Sequence, residues 1–567
     1  MTFISFSKVK GIKYYSIYEK YRENGKEKRR IVKYLGNIDK IMRDHDITKI
    51  SLEDIKIDQI LNHGEILILY KLLSELDLEQ KVNALMPKTR GNGIDVGRLT
   101  EIMVINALTV QKSKDKIKDW YEETSLPKLL QIDPDHLYAE LFCRTLDYFT
   151  GAHIETLEKQ ITSALQKRYQ FEITRVFYDI TSVYLEGDKC PLAEFGYSRD
   201  GKRKKKQVVL GLVIMPNEKF PLLYKVYRGN TADVATSKEV LNQLYTMYAI
   251  YDAIIIVDRG MISDKVRVEF KEMNVRYITA LDECSKEARD LILGVPYSQL
   301  GSLTLTNGRE VRIKRLLGSI KSLRKEFGRK HCSRKEFTEL DDIPFLYVVG
   351  KSPEISKVKK TKHHEAISRA LEELKNFQQE LDAKSSLSNK KGRPIDVDAR
   401  LKQILHGVTK YFQISWSETG APIKLTVTFK KENLRIARKV KGRFVLCASD
   451  PSLTTSEIVQ GYIDKYQIEH AFRFLKTDID VRPFWHRKPN RIIAYFFISY
   501  LAYLLKSIID FEFKKSRLNM SFIEAMEELG KLKIVSISTG QQQIEKLREI
   551  SPMQEIIFKS LKINLSV

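Results

Sequence analysis

The order of strand-like and helix-like segments after Phe171 constrains the fold of this chain more than any other feature. Three runs rich in β-branched and aromatic residues predict strands: TRVFYDITSVYLE, KQVVLGLVIMP and FPLLYKVYRG. Two further apolar runs, DAIIIVDRG and VRYITAL, alternate with the helical patterns VATSKEVLNQLYTMYAI and SDKVRVEFKEMN. Three strands that pair as hairpins, followed by helix, strand, helix and strand, indicate an α/β domain with a mixed sheet and helices on its faces.

The composition and periodicity of the sequence change at several points, which predicts six segments: 1–45, 46–170, 171–285, 286–443, 444–513 and 514–567. The first holds two alternating runs around Asn24-Gly25 and predicts an N-terminal β-hairpin, and the second shows helical spacing throughout. The third and fifth together form the mixed-sheet domain. The fourth predicts a strand-rich insertion subdomain with a long helix at HHEAISRALEELKNFQQELDA and strands at KYFQISWSE, IKLTVTFKKEN and RIARKVK. The last is a short mixed tail.

The charge of the chain points to a polyanionic partner. Its 567 residues include 97 Lys and Arg against 73 Asp and Glu, for a formal charge of +24, and nucleic acid is the first candidate for such a surface. The helical segment 46–170 is therefore expected to bind DNA through a helix in the major groove. A simple scaffold bundle is the alternative.

Membrane and secretory classes fit the sequence poorly. The most apolar run, Ile492 to Leu505, is too short to span a bilayer comfortably and predicts a buried core helix. The five cysteines are far apart, odd in number and contain no CxxC pair. This pattern argues against a disulfide framework and a zinc module, and it favours a reducing cytoplasm.

Two aspartates stand where an apolar strand should not carry a charge. Asp179 lies inside VFYDITSVYL, and Asp258 ends the run AIIIVD. A carboxylate in such a place is costly to bury unless it is paired, hydrogen-bonded or metal-bound. Each aspartate taken singly is equally well read as a turn or cap residue. Asn230 and Asp233 in GNTADVATS are interpreted as caps of the following helix, with an active-site role as the alternative.

A third carboxylate lies on a predicted helix, GYIDKYQIEHAFRFLK. At helical spacing, one stripe carries Tyr462, Lys465, Glu469 and Lys476, while a neighbouring apolar flank carries Ile468, Ala471, Phe472 and Leu475. The alternative is an ordinary amphipathic helix with an i, i+4 Lys–Glu pair. Three carboxylates converging at a sheet edge can hold two hard cations, and two such cations stabilise an in-line phosphoryl displacement.

These motifs together resemble the DDE transposases of bacterial insertion sequences, in the group with the signature Y-x2-R-x3-E-x6-K. Tyr462, Lys465, Glu469 and Lys476 stand at those spacings, with Lys465 in place of the arginine. This change keeps the charge but loses the bidentate fork for a phosphate. Further similar stretches are YDITSVYLE, FGYSRDGKRKKKQVVLGL, FPLLYKVYRGNTADVATS, VDRGMIS, VRPFWHRKPNRI and the N-terminal YRENGKEKRRIVKYLG.

The resemblance implies an RNase H-like catalytic domain whose β-rich insertion lies between the second aspartate and the glutamate. It makes Asp179, Asp258 and Glu469 the catalytic and metal-binding residues, with two Mg²⁺ ions per site and Mn²⁺ as a substitute. Tyr462, Lys465 and Lys476 would grip phosphates near the cleaved end. The family's partners are double-stranded DNA, as terminal inverted repeats and as target, and further copies of the transposase in a dimer or higher oligomer.

Further basic residues are expected to contact DNA on weaker grounds. Arg259 either touches DNA or pairs only with Asp264. Lys204 and Lys205, in RDGKRKKK, either contact phosphates or form a solvated basic turn.

The predicted function is metal-dependent nicking at the inverted repeats, followed by joining of the 3′-hydroxyl to target DNA. Two alternatives remain open: an RNase H-like nuclease that cuts without joining, and an inactive DNA-binding protein derived from a transposase.

Overall fold

The chain is described from a computed structural model. The structure describes these residues: 2–23, 26–44, 56–86, 93–187, 189–248, 252–283, 285–327, 342–385, 396–417, 423–538 and 543–564.

The N-terminal segment forms a three-stranded antiparallel sheet in the order β1-β2-β3. Its elements are β1 (Thr2–Val9), β2 (Ile12–Glu23), β3 (Lys26–Asn37) and α1 (Ile38–Asp44). The predicted hairpin is therefore confirmed in β2 and β3, and β1 adds a strand to it. The predicted turn, Asn24-Gly25, lies outside the described residues.

The next segment is helical, as its spacing predicts. It contains β4 (Lys56–Asn62), α2 (Gly64–Glu75), α3 (Leu78–Leu85), α4 (Val96–Leu108), α5 (Ile117–Glu122), α6 (Leu126–Leu130), α7 (Ala139–Tyr148) and α8 (Gly151–Tyr169). The helices bury an apolar core that includes Trp120, Phe142 and Leu157. This core is continuous with that of the following domain, so the two units are packed together.

The first part of the mixed-sheet domain follows the predicted order. Its elements are β5 (Arg175–Tyr184), β6 (Gln207–Ile214), β7 (Pro221–Arg228), α9 (Asp233–Tyr248), β8 (Ile254–Val257), α10 (Asp264–Glu272) and β9 (Arg276–Ala280). β5, β6 and β7 pair antiparallel, whereas β8 runs parallel to both β5 and β9. Every residue of β6 and β8 is buried, which explains their almost wholly apolar sequences.

The inserted segment contributes strands to the main sheet and also builds a small core of its own. Its elements are α11 (Lys286–Gly294), β10 (Gly301–Thr304), β11 (Glu310–Ser319), α12 (Ile320–Glu326), β12 (Pro344–Lys351), α13 (Pro353–Ser385), α14 (Val397–Ile404), β13 (Phe412–Trp416), β14 (Leu425–Phe429) and α15 (Lys431–Val440). The long helix α13 is confirmed. The run RIARKVK lies in and just after helix α15, not in the predicted strand.

The chain then returns to the sheet and ends on the helical segment. The remaining elements are β15 (Arg443–Ala448), α16 (Thr455–Asp464), α17 (Tyr466–Arg473), a π-helical turn (Phe474–Asp478), α18 (Pro489–Lys515), α19 (Phe522–Leu529), β16 (Lys533–Ser538), β17 (Gln543–Leu547) and α20 (Pro552–Leu561). β16 pairs with both β17 and β4, so the C-terminal tail completes a sheet with the helical segment.

The central sheet has nine strands in the order β10-β11-β12-β15-β9-β8-β5-β6-β7. The predicted subdomain is thus only partly separate. β10, β11 and β12 extend the main sheet beyond β15, while α13, α14, β13, β14 and α15 enclose the second core around Leu374, Phe377 and Tyr411.

The apolar helix α18 is the buried core helix that the sequence predicts. It is long and apolar enough to cross a membrane, but 83% of its most apolar window is buried inside the protein. Its Tyr500 hydroxyl donates to the Pro221 carbonyl of β7 at 3.0 Å. The helix therefore packs against the sheet. Cys143, Cys190 and Cys447 are free thiols.

Candidate active site

Asp179 and Asp258 lie beside each other because their strands run parallel. β5 pairs with β8 in a register that places Tyr178 opposite Val257. The next residue of each segment is the aspartate, so both carboxylates stand at the same level, at the carboxyl end of β8. Open α/β sheets bind their ligands at this edge.

The pKa of Asp179 reflects both its burial and its repulsion by the neighbouring Asp258. Burial raises the pKa of Asp179, and the negative charge of Asp258 raises it further. Two contacts act in the opposite direction. Lys465 Nζ lies 3.7 Å from Asp179 Oδ2, and the Ile180 backbone N–H donates to Asp179 Oδ1 at 2.8 Å. An added cation would relieve the remaining repulsion.

The predicted catalytic helix is two helices with a break at Lys465. α16 ends at Asp464 and α17 begins at Tyr466. α16 approaches the sheet closely, since a Cβ on Gly461 would lie 3.0 Å from the Ile256 side chain. The predicted apolar flank is confirmed, because its members in α17 and in the π-helical turn after it are all buried: Ile468, Ala471, Phe472 and Leu475. Each large apolar side chain buried in this way contributes roughly 1.5–3 kcal/mol.

The polar stripe of these helices points into the site. The Tyr462 hydroxyl donates to Asp258 Oδ1 at 3.1 Å. Burial and the charge of Asp258 both raise the pKa of Tyr462, so the hydroxyl keeps its proton and remains a donor. Lys465 and Lys476 are 6% and 9% exposed. These lysines therefore lie against carboxylates rather than on an open surface.

Glu469 brings the third carboxylate to the same place from the exposed side of α17. With Asp179 and Asp258 it lines a cavity of about 570 Å³. A second cavity, of about 600 Å³, is lined by Asp258, Glu469, Arg259 and Lys465. The carboxylates therefore separate two hollows, each of which also carries basic side chains.

The donor set fits a hard divalent cation. Carboxylate oxygens are the ligands that Mg²⁺ prefers, and burial, together with the charge of Asp258, raises the pKa of Asp179. Within the described ranges, no group of three or more His, Cys, Asp or Glu side chains is spaced closely enough to hold one ion. Asp179 and Asp258 are the adjacent pair, and Glu469 would have to approach them.

Asp200 connects the site to the basic loop and was not singled out from the sequence. Lys476 Nζ donates to Asp200 Oδ1 at 2.8 Å and to Thr181 Oγ1 at 2.6 Å, and Arg482 lies 2.5 Å from the same Asp200 oxygen. Thr181 is two residues beyond Asp179 on β5. The available signal was that Asp200 is the single acid in the run SRDGKRKKK.

A second ion pair anchors the same loop. Arg199 lies 2.7 Å from Asp233, and its backbone N–H donates to Ser182 Oγ at 2.8 Å. Asp233 begins α9, in keeping with its interpretation as a cap, and it also lines the cavity of the three carboxylates. The loop is thus held against β5 and α9.

The weaker DNA-contact predictions fall around this site. Arg259 is exposed and lines the second cavity, and its backbone N–H donates to Asp258 Oδ1 at 2.9 Å. Lys204 is exposed, and Lys205 pairs with Glu186 at 2.6 Å. The role of these residues in DNA binding stays a prediction.

Comparison with known proteins gives the family. The chain matches the model of the Transposase DDE domain over residues 170–505. It also matches a Domain of unknown function (DUF4277) over residues 55–164 and the IS1634 family transposase N-terminal domain over residues 4–61. No curated protein matches.

Two solved transposase structures are among those that match this chain. One is the piggyBac transposase synaptic complex with hairpin DNA, with 12% identity, a TM-score of 0.33, and coverage of 82% of this chain and 79% of that chain. The other is the Mos1 transposase paired-end complex with left transposon end, with 12% identity, a TM-score of 0.15, and coverage of 36% and 64%. These scores are low, so the assignment depends on the family models.

The chain belongs to the DDE transposase family, because the match to that domain covers more than half of its length. Its mixed sheet contains the RNase H-like core of that family, with Asp179 on β5 and Asp258 directly after the parallel strand β8. Within the family, the N-terminal match identifies it as an insertion-sequence transposase similar to the IS1634 group.

Proposed function

We propose that this transposase binds the terminal inverted repeats of its insertion sequence, nicks the DNA there by hydrolysis, and joins the freed 3′-hydroxyl to target DNA. Both steps are phosphoryl transfers at one site. The observation that carries the proposal is that Asp179, Asp258 and Glu469 line one cavity together with cationic side chains.

The three carboxylates would hold two divalent ions, with Mg²⁺ as the physiological choice and Mn²⁺ as a substitute. When bound, such ions polarise the phosphate and stabilise the attacking and leaving oxygens. Asp179 and Asp258 are presented by the rigid sheet, whereas Glu469 is presented by α17, which is fastened to the sheet by its apolar flank. Asp179 and Asp258, held in place by the sheet, need little reorganisation during the reaction.

The neighbouring side chains would bind and orient the DNA. The Tyr462 hydroxyl, protonated at neutral pH, fixes the orientation of the Asp258 carboxylate. Lys465 and Lys476 place two positive charges beside the cavity, where the phosphodiester would lie. The formal charge of +24 supports a DNA partner over the whole surface. Bridging two ends requires at least a dimer on DNA, acting in the bacterial cytoplasm.

A strand-transfer assay tests the proposal. The full chain is incubated with pre-cut element ends, a supercoiled plasmid and Mg²⁺, and joined products are measured on a gel. We expect joining in the wild type and its loss in Asp258→Ala. The exposed carboxylate of Asp398, in the insertion, provides a matched control, and Asp398→Ala should join normally.

Two results would count against the proposal. Cleavage without joining would favour a nuclease of the same fold. Unchanged end cleavage in Asp258→Ala would show that the catalytic site lies elsewhere in the chain.

A further inference from the structure

A separate cavity of about 890 Å³ lies between the helical segment and the chain that follows α17. Its size is within the usual range for ligand sites. Cationic and aromatic side chains line it from both sides: Lys112, Lys114, Trp485, His486, Arg487, Lys488, Arg491 and Tyr495. It contains none of Asp179, Asp258 and Glu469, so it is distinct from the carboxylate site.

Lys114 is a cation of this cavity whose hydrogen-bond partner is an imidazole. Its ammonium lies 3.1 Å from His486 Nε2 and 5.4 Å from the centre of the Tyr495 ring. Burial and the charges of Lys114 and Arg491 lower the pKa of His486 to about 3, so the imidazole is neutral at physiological pH and its Nε2 accepts a hydrogen bond from the Lys114 ammonium. Among the described residues, no carboxylate lies within ion-pair distance of Lys114. A partly buried ammonium in this state favours an incoming anion.

Two other cations of the same cavity, in contrast, are paired with a carboxylate. Arg491 binds Asp147 through two nitrogens, at 2.7 and 2.6 Å, and Lys488 reaches the same carboxylate at 3.2 Å. Those charges are therefore used in holding α7 to α18. Lys114 does not take part in this structural pairing.

Trp485 supplies a flat apolar face at the mouth of the cavity. It is 71% exposed, although its neighbour Phe484 is 2% exposed. The Phe484 backbone is bridged to Leu185, and the Glu186 N–H donates to the Phe484 carbonyl at 3.2 Å. The indole is thus presented by a fixed backbone, which suits a stacking platform.

The cavity and the carboxylate site are connected through strand β5 and the chain that follows α17. Leu185 lies six residues beyond Asp179, which is about 20 Å along the strand. The Gln111 side chain donates to the Ile479 carbonyl, which fixes the helical segment to the chain after α17. One DNA molecule can therefore reach both places.

We propose that this cavity is a second DNA subsite, which binds a phosphate of an unpaired strand through Lys114 and stacks an unpaired base on Trp485. The inference rests on the proposed function for its ligand, DNA. An unpaired strand is the occupant because bases inside a duplex are stacked on one another and leave no free face for an indole. The mixture of cations and aromatic faces is the usual composition of single-strand sites.

Binding of labelled DNA by the full chain without divalent metal tests the subsite. Two DNAs are compared by fluorescence anisotropy: a blunt duplex, and the same duplex with a short single-stranded extension. Wild type should prefer the extended DNA, and Trp485→Ala should lower its affinity about tenfold while leaving the blunt duplex unaffected. Equal affinity of wild type and Trp485→Ala for extended DNA would overturn the proposal. Because Trp485 is exposed, this variant should keep the wild-type melting temperature.

The salt dependence tests Lys114. Removing one phosphate contact should lower the slope of log K against log salt by about 0.7 for a single strand. We expect this change in Lys114→Gln with the extended DNA. The exposed Lys167 on α8 does not line the cavity, and Lys167→Gln is the matched control. An unchanged slope in Lys114→Gln would overturn the assignment of the phosphate.

Intrinsic fluorescence locates the contact. Trp120 is buried and Trp416 is partly covered, with its Nε1–H donating to Asp398 at 3.2 Å. Quenching by the extended DNA should therefore come from Trp485 and disappear in Trp485→Phe, which keeps an aromatic face. Quenching that persists in Trp485→Phe, or that inorganic phosphate alone reproduces, would overturn the subsite.

The two proposals fail separately. If wild type does not join ends in Mg²⁺ but prefers extended DNA through Trp485, the subsite stands and strand transfer is wrong. If joining is normal while Trp485→Ala binds extended DNA like wild type, the subsite is wrong and strand transfer stands.

Discussion

The nine-stranded sheet contains two buried clusters of opposite charges, and they are built differently. In the cluster at β5 and β8, Lys465 stands 3.7 Å from Asp179, and Asp258 adds a second negative charge beside it. In the cluster between α10 and α11, Arg267 grips Glu287 through two nitrogens, at 2.7 and 3.1 Å.

The second cluster is closed by its neighbours. The Tyr347 hydroxyl donates to Glu287 at 2.6 Å, and the Arg267 guanidinium lies 4.4 Å from the centre of the Phe345 ring. Short, two-pronged pairing under an aromatic ring leaves no room for a ligand. The contrast teaches that the loosely paired carboxylates are the ones available to a cation and substrate, while the tightly paired ones hold the fold.

Loss of the third carboxylate should give the largest effect. Glu469→Gln removes a metal-binding charge, and we expect end joining to fall about 10³-fold, since several kcal/mol of transition-state stabilisation are lost. Strand-transfer rates measure this. The melting temperature should stay within error, because Glu469 is exposed. Normal joining by this variant would remove Glu469 from the site.

Breaking the closed cluster should affect stability instead. Arg267→Met leaves Glu287 buried without its cation, and we expect the free energy of unfolding to fall by about 3–5 kcal/mol. Chemical denaturation measures this, with the exposed Arg203→Met as the control. A loss of joining without a loss of stability would contradict the structural role of this cluster.

Asp200 should have an intermediate effect as a positioning residue for Lys476. Asp200→Asn weakens the contact that holds the ammonium, and we expect joining to fall about 10-fold to 100-fold. The double variant with Lys476→Met should be no worse than Lys476→Met alone, because the two residues act together. Additive losses in that cycle would show that Asp200 acts independently of Lys476.

The smallest effect concerns the stability of the metal-free protein. Burial and the charge of Asp258 raise the pKa of Asp179 in the folded protein above its value in the unfolded chain. The stabilising contribution of Asp179 is therefore fully present below the unfolded pKa and is lost as the pH rises through the folded pKa. Asp179→Asn should therefore be more stable than wild type by roughly 1 kcal/mol at neutral pH. The difference should vanish below the unfolded pKa, near pH 3. Denaturation at both pH values measures this, and an equal difference at both would contradict it.

The sequence predicted those parts of the molecule that depend on local pattern. β5 to β9, their order, and the burial of α18 follow from runs of apolar residues whose period and length are visible in the chain. Asp179 and Asp258 were found because a charge in such a run is conspicuous. The raised pKa of Asp179 shows that burying a charge at this position is costly, as the sequence pattern indicates.

What the sequence missed depends on distant partners. The insertion strands join the main sheet through β12 and β15, a pairing that no local pattern specifies. RIARKVK alternates like a strand, yet it lies largely in α15, whose side chains Ala437 and Val440 are buried at helical spacing. Asp200 reads as part of a basic turn until the fold brings Lys476 to it.

The point at which the insertion joins the older domain has an evolutionary consequence. β9 and β15 are hydrogen-bonded neighbours, with Ala280 opposite Leu446 and the Leu281 N–H donating to the Val445 carbonyl at 2.9 Å. The chain thus departs and returns within a single strand spacing, as across a hairpin loop. During evolution a module could be gained or lost at this point while β9 and β15 stay paired, although the other edge of β15 would then gain or lose β12 as its neighbour.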